Sequence, residues 1–382
     1  MKDGIFPVQE LRQAVKNGWI AGPSLEERQF QPSSLDLRLG GKAYRVQCSF
    51  LPQDRKVEQV LPELTMYEFD LGPHAVLERG NVYLIPLQET LSLPEDVKGR
   101  TNPKSSTGRL DIFTRVITDF SARFEDIRAG YSGPLYLEVV PITFTVHVEA
   151  GLCLNQLRLF RGEPRLSDDE LQRLYKKEPL LINEKGRPIT ITASAQHQLL
   201  PEGGASEDRA IIRRGLYMSI DLKGQKDRNI VGYKARRNSK TIDLTKVKSH
   251  NIDEYWEPVS ARDKGGLILE PEEFYIFASR ERVWVPPDHA AEMTEYDAGS
   301  GELRTHYAGF FDPGFGVRGK KKKKGTAAVL EVRAHDVPFR IEHGQVFFKL
   351  VYERLTASPD VVYGAAGSHY QNQGLALSKH FR

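Results

Sequence analysis

The chain has 382 residues, 40% of them hydrophobic and 27% charged, which is an ordinary soluble composition with length for two domains. Its 54 basic and 51 acidic side chains leave a net charge of only +3, so global electrostatics nominate no nucleic-acid partner. Two cysteines, Cys48 and Cys153, exclude a disulfide framework and a Cys-rich zinc site. No stretch approaches the roughly 20 apolar residues of a membrane helix, and Met-Lys-Asp-Gly-Ile-Phe-Pro does not read as a leader. A cytoplasmic protein, without membrane or nucleic acid as partner, is the expectation.

Val8, Leu11 and Val15 recur at helical spacing until Gly18, predicting a short N-terminal helix. Short apolar alternations follow, such as Leu35-Leu37-Leu39, Leu135-Leu137 and Phe144-Val146-Val148. In the last, Thr145, His147 and Glu149 point the other way, the period of a half-buried strand. Turn residues punctuate these runs, which predicts an all-β barrel or sandwich. Ser167-Asp-Asp-Glu170 is a capping box, followed by Leu171, Leu174 and Tyr175 and stopped by Pro179. Residues 195–210 have linker composition.

The second half repeats the first. Ser34-Leu-Asp36-Leu matches Ser219-Ile-Asp221-Leu, Ala75-Val-Leu-Glu78 matches Leu267-Ile-Leu-Glu270, and Leu93-Pro-Glu-Asp96 matches Val285-Pro-Pro-Asp288. Leu135-Tyr-Leu-Glu138 matches Ala328-Val-Leu-Glu331, and Gly151 matches Gly344, the last four at an offset of 192 or 193. Such constancy predicts a tandem duplication. The expected boundaries are 1–162 for the first domain, 163–210 for a helical and flexible linker and 211–382 for the second domain. Gly130 matches Gly314 at an offset of only 184, so the second repeat lacks about eight residues before this glycine and gains about nine after it. The segment Lys104-Ser-Ser-Thr-Gly-Arg109 falls in the gap, and Lys320 to Lys324 fall in the gain. Ile127-Arg-Ala-Gly130 is replaced by Phe311-Asp-Pro-Gly314. Each half keeps what the other lost.

Lys104, Ser105, Ser106, Thr107 and Arg109 put hydroxyls, an ammonium and a guanidinium into one short stretch. Charged donors make the strongest hydrogen bonds to phosphate oxygens, and no Walker loop competes for that role. A surface turn is the bland alternative. Glu138 and Glu331 each close an apolar strand run, where a carboxylate sits at a wall or on an exposed polar face. One partly desolvated carboxylate could serve as a general base.

With Ser34-Leu-Asp-Leu-Arg-Leu-Gly40 upstream and Tyr370-Gln-Asn-Gln-Gly374 near the end, the chain resembles the dCTP deaminases of the trimeric dUTPase superfamily. It is most similar to the double-length forms, and the likeness covers nearly the whole chain. The resemblance implies two dUTPase-like distorted jelly-roll (β-clip) domains with short flanking helices. It implies deamination of dCTP to dUTP and ammonia, in dUTP and dTTP supply, by a Glu general base without catalytic metal. It assigns Glu331 or Glu138 as the base, Ser105 and Arg109 to orienting water and carboxylate, and Lys104 and Ser106 to the triphosphate. Asp312 would contact sugar and base, with His306 and Ala308 beside the base and Gln156 also on the substrate. Tyr370, Gln373 and Gly374 belong to a tail over the nucleotide, with Lys379 a further phosphate ligand.

Zinc deaminases need H-x-E with P-C-x-x-C. His147-Val-Glu149 supplies only the first part, so no zinc is expected and His147 reads as a solvated strand face. Mg²⁺ would enter on the triphosphate. Lys320 to Lys324 read either as a phosphate-steering loop or as a mobile hairpin tip, the second being favoured by the flanking glycines. A homo-oligomer is expected, as homotypic trimers setting Lys104–Arg109 against Glu138, or as a pseudo-symmetric pairing of halves setting it against Glu331 and Asp312. The complementary losses favour the second. Two further functions stay open. One is dUTP hydrolysis, alone or coupled, for which Asp111, Asp119 and Asp126 lie near the segment. The other is a catalytically inert nucleotide-binding scaffold.

Overall fold

The computed structural model describes residues 2–191, 209–224, 229–261, 266–295, 303–305, 309–318, 322–323, 325–334, 336–365, 370 and 373–382. Strands dominate. In the first half, Val82–Ser92 lies between Lys42–Val46 and Ser132–Pro141, and Thr65–Asp70 and Ile112–Thr118 extend the sheet on either side. A second sheet runs Gly4–Ile5, Cys153–Arg161, Val97–Pro103, Asp126–Ile127, with Leu35–Arg38 also on Cys153–Arg161. The strands alternate, with Leu35, Leu37, Leu135, Leu137 and Val139 fully buried, so their apolar faces build the layer between sheets.

The second half repeats this order. Phe274–Val283 lies between Ile230–Ala235 and Thr326–Ala334, flanked by Trp256–Ser260 and Leu303–Thr305. Its other sheet runs Leu216–Ser219, Val346–Arg354, His289–Glu295, Phe310–Phe311. The duplication is therefore a repeat of topology. Gly130 and Gly314 both sit at positive φ, +67° and +86°, at the turn after the matched strands Asp126–Ile127 and Phe310–Phe311. A Cβ at Gly314 would come within 2.9 Å of Val362, so both backbone angle and space require glycine there.

The N-terminal helix forms over Val8–Lys16 and buries Val8, Leu11 and Ala14. The capping box is in place: Ser167 Oγ accepts from the Glu170 amide at 3.3 Å, and Glu170 Oε2 accepts from the Ser167 amide at 2.9 Å. The helix it starts, Asp168–Lys177, buries Leu171 and Tyr175 in the core of the second half. Leu181–Ile182 then joins Phe274–Val283. The first part of the expected linker thus packs on the second domain, because its apolar stripe needs a partner. Residues 192–208 lie outside the described residues. A helix over Val57–Leu64 also forms, with Pro62 inside it.

The halves share interior. The core of the first half takes in Trp256, Phe274, Ile276 and Phe381 from the second. Val146–His147 pairs in parallel with Ile242–Asp243, so a sheet ladder crosses between halves. His147 is accordingly not on a solvated face: its Nδ1 lies 3.1 Å from Asp243 Oδ1. Of the lysine run, the backbone of Lys322–Lys323 pairs with Val317–Arg318, and Lys320, Lys321 and Lys324 lie outside the described residues. Among the described residues no helix is long and apolar enough to cross a membrane.

Candidate active site between the halves

A cleft of ≈ 750 Å³ opens where the halves meet. The first half contributes Asp36, Lys104, Ser105, Ser106, Arg109 and Gln156. The second contributes Phe310, Asp312, Glu331, Tyr370, Gln373 and Lys379. Pro103 ends a strand, Lys104 is still extended, and Ser105–Gly108 coil into one helical turn. Thr107 Oγ1 donates to the Leu154 carbonyl at 2.9 Å and pins the turn to the neighbouring strand. The turn carries Lys104 and Arg109 to the cleft from opposite ends.

At one end the Lys104 ammonium pairs with the Asp36 carboxylate. Burial alone would push the Lys104 pKa down, but the charge and hydrogen bond of Asp36 outweigh it and hold it above its ordinary value. Burial also raises Asp36, against the pull of Lys104. Lys379 is lowered by burial and by the neighbouring Lys104 charge. Two ammoniums against one carboxylate leave this end with a surplus positive charge that an incoming polyanion would relieve. Gln156 lies beside it, its Oε1 accepting from Ser34 Oγ at 3.3 Å. Ser106 is buried, and its carbonyl accepts from Ser378 Oγ at 2.9 Å, tying the turn to the C-terminal tail.

At the other end Arg109 is buried. Its Nη1 donates to Gln373 Oε1 at 2.9 Å and to the Ala376 carbonyl at 3.1 Å, and the guanidinium lies 3.9 Å from the centre of the Tyr370 ring. The hydroxyl of Tyr370 accepts from the Lys379 amide at 3.1 Å. The tail therefore closes over the arginine. Glu331, on Thr326–Ala334, lies within reach of the Arg109 field. Burial raises its pKa well above the carboxylate range; Arg109 pulls it down and Asp111 pushes it up. A buried carboxylate with a raised pKa beside a cation can hold and release a proton near neutral pH.

Asp312 forms a side wall, where its Oδ1 accepts from Ser33 Oγ at 2.6 Å and from Arg158 Nη2 at 3.5 Å. Phe310, Phe311, Phe315 and Met293 make the wall apolar beside it. Sequence reasoning missed these aromatics, although Phe310-Phe311 stands immediately before Asp-Pro-Gly. It also passed over Asp36, whose signal was the repeated Ser-x-Asp-Leu motif.

The two candidate glutamates part company. Glu138 is buried, but it bonds Arg115, with Nε at 2.9 Å and Nη2 at 2.5 Å, and does not line the cleft. Gly374 lies in the tail without lining the cleft. His306 and Ala308 lie outside the described residues, as do residues 296–302, where the second half would carry any counterpart of the Lys104–Arg109 turn. Asp111, Asp119 and Asp126 do not line the cleft: Asp111 pairs with Arg333, and Asp119 Oδ1 accepts from the Val57 amide at 2.8 Å. Cys48 and Cys153 are free thiols, and no cluster of His, Cys, Asp and Glu among the described residues could hold a metal ion.

Comparison with known proteins gives a consistent picture. Residues 2–163 match the family model for the 2′-deoxycytidine 5′-triphosphate deaminase N-terminal domain, and residues 167–381 match that for the C-terminal domain. The structure is similar to the crystal structure of 2′-deoxycytidine 5′-triphosphate deaminase from Agrobacterium tumefaciens, with TM-score 0.81 and 43% identity, covering 93% of this chain and 100% of that one. A Parafrankia protein named "dCTP deaminase, dUMP-forming" is 35% identical over 157 residues, 40% of this chain and 74% of its own length. An Acidianus ambivalens protein named "dCTP deaminase" is 28% identical over 144 residues, 37% of this chain and 76% of its own.

Proposed function

The chain belongs to the 2′-deoxycytidine 5′-triphosphate deaminase family, a family of enzymes, and on that premise we propose that it hydrolyses dCTP to dUTP and ammonia at the cleft between its halves. One observation carries the reading: Arg109 of the first half and a buried Glu331 of the second line the same cleft. Glu331 is the general base. It takes a proton from water as the oxygen adds to the amine-bearing ring carbon. It then returns that proton to the ring nitrogen and carries the proton of the added hydroxyl to the amine, which leaves as ammonia as the carbonyl forms. Ser105 orients the water, and Arg109 orients the carboxylate and keeps enough of it ionised. Lys104, Ser106 and Lys379 take the triphosphate, supported by the surplus positive charge at that end. Gln156, Asp312, His306 and Ala308 contact sugar and base, and Tyr370, Gln373 and Gly374 cover the nucleotide.

Magnesium fits as an ion carried on the triphosphate. Beside the two lysines the cleft offers it Asp36, whose buried Oδ1 has no hydrogen-bond partner among the described residues. One carboxylate plus phosphate oxygens is the set Mg²⁺ prefers, and it would screen phosphate charge there.

Relatives named as dUMP-forming favour a second reading, in which the same cleft also removes pyrophosphate. That needs an acid directing water at the α-phosphate, and Asp36 is the carboxylate at that end. Chromatography of the products from dCTP and Mg²⁺, with ammonia assayed in parallel, separates the readings. Ammonia with dUTP alone means deamination only, ammonia with dUMP means both steps, and unchanged dCTP rejects both. The variant Arg109→Ala should abolish turnover; near wild-type rates would remove Arg109 from the site.

A further inference from the structure

Arg158 does not line the cleft, and nothing in the sequence marks it out. It sits on Cys153–Arg161 with no solvent exposure, yet the side-chain hydrogen bonds it makes among the described residues go to the other half. Its Nη1 donates to the Ala291 carbonyl at 3.1 Å and to Glu353 Oε2 at 3.2 Å. Its Nη2 donates to the Phe311 carbonyl at 3.1 Å and to Asp312 Oδ1 at 3.5 Å. The guanidinium lies 3.9 Å from the centre of the Phe310 ring. Phe310, Phe311 and Asp312 are the cleft wall, so one fork grips a backbone carbonyl, a ring and the carboxylate of that wall. The second grip on Asp312, from Ser33, also comes from the first half.

This arrangement occurs once per chain. At the repeat-matched positions the second half has Val351 for Arg158, and the first half has Arg128 for Asp312. Register pairs Arg158 with Arg100 on the adjacent strand, and Arg100 Nη2 reaches Glu292 at 3.2 Å and also Glu353. Two arginines of one half thus meet Glu292, Glu353 and Asp312 of the other in a buried interface. Like halves facing each other there would bury arginine against arginine, which costs far more than the mixed pairing.

Resting on the proposed deamination, we propose that Arg158, with Ser33, is a positioning residue that fixes Asp312 and Phe310 against the sugar and base from across the half–half boundary. The planar fork suits this role because it meets two carboxylates and two carbonyls without freedom to turn. Displacement of a substrate-positioning group by about 1 Å can cost about 100-fold in rate.

The test is a double-mutant cycle on the full chain, read as kcat and KM for dCTP and as discrimination between dCTP and CTP. Arg158→Met and Asp312→Asn are each expected to lower kcat/KM by about 10- to 100-fold and to narrow the discrimination. The double variant should be little worse than Asp312→Asn alone, because Arg158 acts through that residue. A purely structural arginine would lower Tm and leave kcat/KM per folded molecule and discrimination within about two-fold, and that result overturns the proposal. Losses that multiply in the double variant overturn it too. Should Arg158→Met fail to fold, Ser33→Ala cycled against Asp312→Asn is judged by the same criteria. A wild type inert on dCTP would reject the underlying reading, and the proposal with it.

Discussion

The carboxylate proposed as the base is one the protein has made uncomfortable. Glu331 is desolvated and has Asp111 in its neighbourhood, with Arg109 pulling the other way. As a base it must be ionised, so kcat/KM should fall as pH drops through its raised pKa. The acid limb of the profile then lies above the ordinary carboxylate range, and a limb near 4.5 would remove Glu331 from the role. The same shift has a stability sign. Between the unfolded and the raised folded pKa the native state holds the proton more tightly, so stability is lost as pH rises across that window. Glu331→Gln should therefore cost about 10²- to 10⁴-fold in kcat while raising Tm at alkaline pH. Glu138→Gln should do the reverse: it strips Arg115 of its partner, lowers Tm, and leaves the acid limb in place.

At the scale of elements, the Lys104–Arg109 turn must be held against a strand from the other half. The chain does this two residues further along each element. Asp111, fully buried and at φ +55°, pairs with Arg333, whose Nη2 also donates to Thr143 Oγ1 at 2.9 Å. Arg109 to Asp111 and Glu331 to Arg333 thus present opposite charges in alternation, and only one register satisfies both. Arg333→Met removes one side of this buried ion pair and should cost about 3–5 kcal/mol in urea unfolding. Adding Asp111→Asn should recover most of that, because the penalty comes from a buried carboxylate that has lost its arginine; a double variant as unstable as the single would show the pair is not the cause. What the sequence made legible at this scale is what a local pattern can carry. Period-two strands and the Ser167 capping box were readable. The helix over Val57–Leu64 was not, since Pro62 reads as a turn until the helix end it occupies is seen. Nor could Glu138 and Glu331 be separated. They hold the same place in matched strands, and what differs is across space: Arg115 beside one, the cleft beside the other.

For the whole molecule, duplication was legible as a constant offset, but the way two copies share an interior was not. Contacts between positions more than a hundred residues apart leave no periodicity. The C-terminus is the clearest case. Phe381 reads as the end of a covering tail, yet its ring lies 5.5 Å from Tyr255 and 5.9 Å from Trp256, inside the core that the first half also fills. The backbone around it is tied down as well, with the amides of Ser249 and His250 donating to the His380 carbonyl at 3.0 and 3.1 Å. Phe381 thus anchors the end of the chain in the core, while Lys379, two residues before it, still lines the cleft. Two consequences can be measured together. Because one core contains side chains of both halves, the chain should unfold in a single cooperative transition, with tryptophan fluorescence and far-ultraviolet circular dichroism coinciding. Phe381→Ala should cost about 3–5 kcal/mol of that transition, as for other buried aromatics. It should also lower turnover, since Ser378 and the Ala376 carbonyl hold Ser106 and Arg109 from the same segment. Two separated transitions, with Phe381→Ala shifting only one of them, would mean that the halves are independent bodies and that the shared core contributes little.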